Sequence, residues 1–179
     1  IASIGGKISV PHMLPYSASK FALVGWSAGL RAELAKDNIV VTTVCPGPMR
    51  TGSPRNASFK GQHRAEYAWF SISDSLPIIS MSAERAAQQV LTACKRGEAE
   101  VILSLPAKLA VGFQNLFPGV MAEVLNLANR LLPAPGGIGK QRALGSESES
   151  SLSPSALTAL GDKAARENNE FPEVSRVVG

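Results

Sequence analysis

Residues 1–51 read IASIGGKISVPHMLPYSASKFALVGWSAGLRAELAKDNIVVTTVCPGPMRT. The opening I-A-S-I is short, apolar and followed at once by two glycines, which is typical of the end of a buried strand. Residues 16–37 predict a helix, because apolar side chains recur at helical spacings and no proline interrupts them. The β-branched run at 39–45 predicts a parallel strand that is buried on both faces. These elements form a βαβ crossover, so the predicted fold class is α/β with a parallel sheet.

Beyond residue 51, the predicted strands and helices alternate less regularly. Residues 53–80 are polar and predict a long excursion with one or two short helices, of the kind that often covers a site. A helix is predicted over 82–96 and a third strand over 100–105. Residues 107–132 are strongly apolar, but Pro118-Gly119 divides them into two helices too short to span a bilayer.

After residue 133 the composition changes to Pro, Gly, Ser and alternating charge, with few large apolar side chains. Such a composition cannot bury enough apolar surface to offset the entropy of ordering. We therefore expect one domain over 1–133 and a mostly disordered tail over 134–179.

Charge and cysteine content exclude several function classes. The net charge of +4 is spread along the chain, so it does not outline a groove for nucleic acid. Cys45 and Cys94 are the two cysteines, and neither belongs to a Cys/His cluster that would hold a metal. Reduced thiols in the cytoplasm are the default expectation. The chain begins without Met and shows no secretory signal, so we expect its natural start to lie upstream.

Tyr16 and Lys20 stand four residues apart at the start of the predicted helix, so both side chains emerge on one face. A neighbouring ammonium favours the ionised form of a phenol, which suits the phenol for general acid/base catalysis. A YxxxK pair also occurs by chance on solvated helices, and alone it favours that interpretation.

Two further elements lie at predicted strand ends, where open α/β sheets place their ligands. Ser3 ends the first strand, and its hydroxyl can donate to a substrate carbonyl. The segment P-G-P-M-R-T at 46–51 follows the second strand and can expose backbone amides and a threonine hydroxyl to a planar amide. Each of these elements alone also fits a simple cap or a rigid turn.

Together the elements resemble the short-chain dehydrogenase/reductase family. The family pattern of Ser, twelve residues, Y-x-A-S-K and later P-G-x-x-x-T is matched by Ser3, Y-S-A-S-K at 16–20 and P-G-P-M-R-T at 46–51. The resemblance is close over 1–105, loose over 107–132 and absent from the tail. It implies that the chain is the later half of a doubly wound, Rossmann-like parallel-sheet domain.

The resemblance also implies a reaction, which is the interconversion of an alcohol and a ketone or aldehyde with NAD or NADP. Tyr16 would be the acid/base, Lys20 would lower its pKa and bind the nicotinamide ribose, and Ser3 would orient the carbonyl. The carboxamide of nicotinamide would be contacted by Pro46, Gly47, Met49 and Thr51.

The family's glycine-rich turn, which binds the pyrophosphate, has no counterpart in this sequence. We therefore expect the isolated chain to be inactive. The resemblance further implies that the full-length protein is a homo-oligomer and acts on a small alcohol or carbonyl compound, with lipid-like compounds among the candidates. The alternatives are a non-catalytic scaffold relative and a peripheral membrane protein that uses 107–132. For 107–132 itself, a surface that covers another subunit or domain is favoured over a membrane contact.

Overall fold

The structure, a computed structural model, describes residues 1–168 and 170–171. Its helices are α1 (Leu14–Leu34), α2 (His63–Ser75), α3 (Ala83–Arg96), α4 (Leu105–Leu116), α5 (Pro118–Leu131) and α6 (Ala159–Glu167). Its strands are β1 (Thr43–Cys45), β2 (Met49–Arg50), β3 (Ser58–Phe59), β4 (Met81–Ser82), β5 (Glu100–Ile102) and β6 (Ala143–Leu144). Short 3-10 turns cover Ile4–Gly6, Ala35–Asp37, Ser53–Asn56 and Gly145–Glu147.

The chain divides into two compact units. The first contains Ile1–Met49 and Glu84–Leu132, and the second contains Arg50–Ala83 and the described residues from Pro133 onward. This division differs from the predicted single domain over 1–133, because the excursion after Met49 packs with the carboxy-terminal residues.

The parallel sheet of the first unit is centred on β1. β1 pairs in parallel with β5, with Thr43 opposite Glu100 and Cys45 opposite Ile102. On the other side, the Ala2 amide donates to the Val44 carbonyl at 2.7 Å and the Ile4 amide donates to the Pro46 carbonyl at 2.7 Å. The opening segment therefore runs beside β1, and the predicted βαβ arrangement with an α/β fold is confirmed.

The second predicted strand is shorter than the sequence indicated. Only Thr43–Cys45 join the sheet, whereas Ile39 and Val40 are 51% and 60% exposed. The neighbouring strand β5 has three residues, which pair with Thr43, Val44 and Cys45 and not with the residues before Thr43. The Arg31 guanidinium instead donates to the Val41 carbonyl at 2.6 Å.

Other predicted elements lie close to their expected positions. α1 matches the predicted helix at 16–37, and Gly97 follows the end of α3 with a positive φ of 65°. α4 ends at Leu116 and α5 begins at Pro118, so the predicted division by Pro118-Gly119 is confirmed. The third predicted strand ends earlier than residue 105, because Ser104 caps the start of α4.

The apolar core of the first unit lies between the opening segment and α4 and α5. Ile8, Val111 and Met121 form its buried centre, and Ile4, Ile102, Ala110 and Leu125 pack against it. The opposite side of α4 and α5 is exposed and apolar. This side, the α4–α5 apolar face, consists of Leu105, Leu109, Phe113, Leu116, Phe117, Val120, Val124, Leu127 and Leu131.

The second unit is built from the excursion and the carboxy-terminal residues. β3 pairs antiparallel with β6, with Phe59 opposite Ala143. The Phe59 ring meets the rings of Tyr67 and Phe70 edge-on, with centroids 5.7 and 6.1 Å away. Three of the aromatic side chains of the excursion, Phe59, Tyr67 and Phe70, therefore form one cluster, whereas Trp69 is 53% exposed.

The structure describes residues 134–168, 170 and 171 of the tail that the sequence predicts to be mostly disordered. These residues include β6 and α6, and α6 buries Ala164 and Ala165. Large apolar side chains are scarce there, as the sequence showed, but small ones pack closely against the excursion. A Cβ on Gly52 would overlap Ala165. Residue 169 and residues 172–179 of the predicted tail lie outside the described residues.

Asp74 stands near the end of α2 as a partly buried carboxyl group. It forms no hydrogen bond or ion pair with a described residue, and burial raises its pKa to about 7. The folded protein therefore binds a proton at Asp74 more tightly than the unfolded chain does. This proton stabilises the fold fully below about pH 4, and the stabilisation is lost as the pH rises towards 7.

Replacing Asp74 with Asn removes the charge that is costly to bury. We expect Asp74→Asn to raise the free energy of unfolding at pH 8 by up to about 4 kcal/mol and to change it little near pH 4. Urea unfolding across this pH range measures the effect, with the exposed Asp37→Asn as the control. A change of the same size at both pH values would contradict the assignment.

Candidate active site

Ser3 lies where the opening segment leaves the side of β1. Its backbone is extended, with φ −171° and ψ 160°, and its hydroxyl oxygen accepts from the Gly5 amide at 3.0 Å. This hydrogen bond caps the 3-10 turn Ile4–Gly6 and fixes the serine side chain at the carboxyl end of the segment.

Gly5 and Gly6 bring that end directly against α1. A Cβ on Gly6 would lie 2.6 Å from the Lys20 carbonyl oxygen and 2.9 Å from Val24 Cγ2, so no side chain fits there. A Cβ on Gly5 would lie 2.9 Å from Tyr16 Cε1 and 3.5 Å from Ser3 Oγ. The Ser3 hydroxyl and the Tyr16 ring thus flank the same point beside Gly5.

Tyr16 and Lys20 occupy the first turns of α1, which begins at Leu14 with proline in its first turn. The Lys20 ammonium lies 5.5 Å from the centroid of the Tyr16 ring. Tyr16 is 40% exposed, so a ligand can reach its ring from outside. The predicted pairing of a phenol and an ammonium on one helix face is present in the structure.

The Pro46-Gly47 turn lies at the same edge of the sheet. The Pro46 carbonyl accepts from the Ile4 amide, one residue after Ser3. A Cβ on Gly47 would lie 3.1 Å from Ala107 Cβ and 3.3 Å from Ser104 Oγ. Glycine at this position allows the turn to pack tightly on the start of α4.

Met49 and Thr51, the other two residues predicted to contact the nicotinamide carboxamide, lie further along the P-G-P-M-R-T segment. Met49 is a partly buried residue of β2. Thr51 belongs to the second unit, where its hydroxyl oxygen accepts from the Ser53 amide at 3.2 Å. Within the first unit, the structure brings Ser3, Tyr16 and Lys20 together and places the Pro46-Gly47 turn beside the end of the opening segment that carries Ser3.

Two supporting residues were missed in the sequence. Ser17 is buried, and its hydroxyl oxygen accepts from the Val10 amide at 3.2 Å, which ties the loop before α1 to the helix. Ser104 has a positive φ of 73°, and its side chain caps α4 by accepting from the Ala107 amide. The serine directly before Leu105-Pro106 is a helix-start signal that identifies this second residue.

Cys45 adjoins this edge but is not a candidate nucleophile. It is completely buried at the end of β1, and burial, reinforced by the charge of Glu100, raises the pKa of its thiol. Both cysteines are free thiols. In the described part of the chain, no group of three or more His, Cys, Asp or Glu residues is arranged to hold a metal ion. None of the described helices is long and apolar enough to cross a membrane.

Comparison with known proteins gives partial matches. The family model described as short chain dehydrogenase matches residues 1–60. The Dehydrogenase/reductase SDR family protein 7-like of Anopheles gambiae is 35% identical over 121 residues, which cover 67% of this chain and 37% of that protein. The putative oxidoreductase SadH of Mycobacterium tuberculosis is 31% identical over 139 residues, which cover 76% of this chain and 46% of that protein.

One shorter match has a higher identity. The putative ketoacyl reductase of Streptomyces coelicolor is 53% identical over 51 residues, which cover 28% of this chain and 20% of that protein. No solved structure matches. The chain spans less than half the length of these relatives. The matched motif, the edge that it forms and these relatives agree, and the chain belongs to the short-chain dehydrogenase/reductase family.

Proposed function

We propose that this chain is the catalytic part of an oxidoreductase that uses NAD or NADP to interconvert an alcohol and a ketone or aldehyde. The observation that carries the proposal is the grouping of Ser3, Tyr16 and Lys20 at one edge of the parallel sheet. The relatives support the reaction class, since their names describe dehydrogenases, reductases and an oxidoreductase.

The residues present fit the nicotinamide end of such a cofactor. A phenol, an ammonium and the Pro46-Gly47 turn supply the donors that ribose hydroxyls and a carboxamide require. Tyr16 and Lys20 would hold the ribose, and the carboxamide would be contacted by Pro46, Gly47, Met49 and Thr51. The nicotinamide supplies or accepts the hydride when it is bound.

Tyr16 moves the proton in the proposed reaction. Its phenol donates a proton to the carbonyl oxygen in reduction and takes it from the alcohol in oxidation. The Lys20 ammonium, 5.5 Å from the ring centroid, supplies a positive charge that stabilises the phenolate formed when the proton leaves.

Ser3 orients the substrate. Its oxygen already accepts from the Gly5 amide, which leaves its hydroxyl proton to donate to a substrate oxygen. A fixed donor at the oxygen where negative charge develops lowers the barrier without reorganisation during the reaction. Ser3 and Tyr16 therefore act on the same oxygen atom from two sides.

The competing proposal is a scaffold relative that keeps the fold without catalysis. Replacing Tyr16 with Phe in a longer form that includes a dinucleotide-binding half removes the acid/base while keeping the ring. We expect kcat to fall by about 10²- to 10⁴-fold, which is the usual contribution of a general acid. The control is Ser19→Ala, which removes the neighbouring hydroxyl that donates to the Tyr16 carbonyl. Unchanged turnover in Tyr16→Phe would eliminate the assignment.

Cofactor binding by the isolated chain tests whether the affinity for NAD or NADP depends on a pyrophosphate-binding turn. The chain lacks a glycine-rich turn that leads from a strand into a helix and binds the pyrophosphate. We expect no micromolar binding of NADPH or NADH and no turnover by the isolated chain. A fluorescence titration measures this, and a saturating signal at micromolar NADPH would show that the expectation is wrong.

The α4–α5 apolar face supports a second role, in association. Its side chains are exposed along both helices, and exposed apolar patches often mark surfaces of association. We infer that this face packs against a protein surface, that of another subunit or a further domain. A membrane surface is the second candidate.

Sedimentation with liposomes separates the two candidates. We expect the full-length protein to remain in the supernatant. Sedimentation with the vesicles that is lost in Leu127→Glu and kept in the exposed control Asn126→Glu would support the membrane instead.

A further inference from the structure

The residue that follows Thr51 packs against the carboxy-terminal helix. Gly52 has a φ of +87°, and a Cβ at this position would overlap Ala165 of α6. Ala165 is completely buried. Both residues belong to the second unit, so a segment remote in sequence abuts the end of the P-G-P-M-R-T motif.

Helix α6 is itself fixed at its start. The Thr158 hydroxyl donates to Asp162 at 2.8 Å and accepts from the Ser155 amide at 2.8 Å. A Cβ on Gly161 would overlap the Ser75 hydroxyl of α2. The buried Ser75 hydroxyl also donates to the Ser71 carbonyl at 2.7 Å, so its position is set. These contacts hold α6 against α2 and leave it little freedom to shift.

The 3-10 turn Ser53–Asn56 is held by further carboxy-terminal residues. Arg55 pairs with Glu149 at 2.9 Å, and its guanidinium lies 4.3 Å from the centroid of the Phe171 ring. The Asn56 side-chain amide donates to the Glu170 carboxylate at 2.6 Å. The residues after Thr51 are therefore held at several points by Glu149, Glu170 and Phe171.

The Thr51 hydroxyl is tied to this same turn. It accepts from the Ser53 amide, and the Arg55 amide donates to the Gly52 carbonyl at 3.1 Å. A displacement of Gly52 would therefore move the threonine and the turn together. Small residues at both contact positions make the fit sensitive to added volume.

We propose that α6 is a positioning element for Thr51, and that Ala165 acts on it through Gly52. One part of this proposal rests on the proposed function, namely that Thr51 contacts the nicotinamide carboxamide. It assigns a role to a carboxy-terminal segment that lies outside the family's sequence pattern. Ala165 does not touch the cofactor, so it is a positioning residue.

Hydrogen exchange on the isolated chain tests the structural half of the proposal. Ala165→Leu adds volume at the contact, and Ala159→Leu makes the same change at an exposed position of α6. We expect the Ser53 and Arg55 amides to exchange about ten-fold faster or more in Ala165→Leu. We expect changes within about two-fold in Ala159→Leu and in the Ala165→Gly variant, which adds no volume. Unchanged exchange of both amides in Ala165→Leu would overturn the proposal.

Steady-state kinetics on the longer form tests the functional half. Loss of folded molecules lowers the measured kcat but leaves KM unchanged, whereas a misplaced Thr51 raises the KM for the nicotinamide cofactor. We expect that KM to rise about ten-fold in Ala165→Leu and to stay near its original value in Ala165→Gly and Ala159→Leu. An unchanged cofactor KM in Ala165→Leu would overturn the assigned role. Absence of turnover in the unsubstituted protein would instead refute the proposed function, and the exchange result would still decide whether α6 holds Thr51.

Discussion

The site depends on the close approach of the Gly5-Gly6 backbone to the first turns of α1. A side chain at Gly6 would collide with the Lys20 carbonyl and with Val24, so any larger residue forces the end of the opening segment away from the helix. That separation would move the Ser3 hydroxyl away from the Tyr16 ring. The arrangement of the Ser3, Tyr16 and Lys20 side chains therefore depends on close packing at two glycines, Gly5 and Gly6.

The sheet supplies the second condition for the site. The opening segment, β1 and β5 run in parallel, so their carboxyl ends meet at one edge. Ser3 and the Pro46-Gly47 turn occupy this edge, and Gly47 packs on the capped start of α4. Ligand sites in open α/β folds lie at such edges because loops and helix starts converge there without burying unsatisfied backbone groups.

The sequence predicted the βαβ unit and the grouping of Ser3, Tyr16 and Lys20, because periodicity and motif spacing act over short distances. It overestimated the strand at 39–45. Ile39 and Val40 are exposed, and the pairing with β5 covers Thr43–Cys45, because strand length depends on the partner as well as on propensity. It also predicted, from composition, a tail that is mostly disordered. The burial of Ala165 against Gly52 is a long-range contact between small residues, and composition does not reveal such contacts.

The end of the opening segment lies against the phenol of Tyr16, and NMR on the labelled chain tests this contact. We expect a strong nuclear Overhauser effect between an α-proton of Gly5 and the ring protons of Tyr16, because a Cβ at Gly5 would lie 2.9 Å from Tyr16 Cε1. Well-resolved signals from both residues without this effect would show that the contact is absent and that the proposed site is not formed.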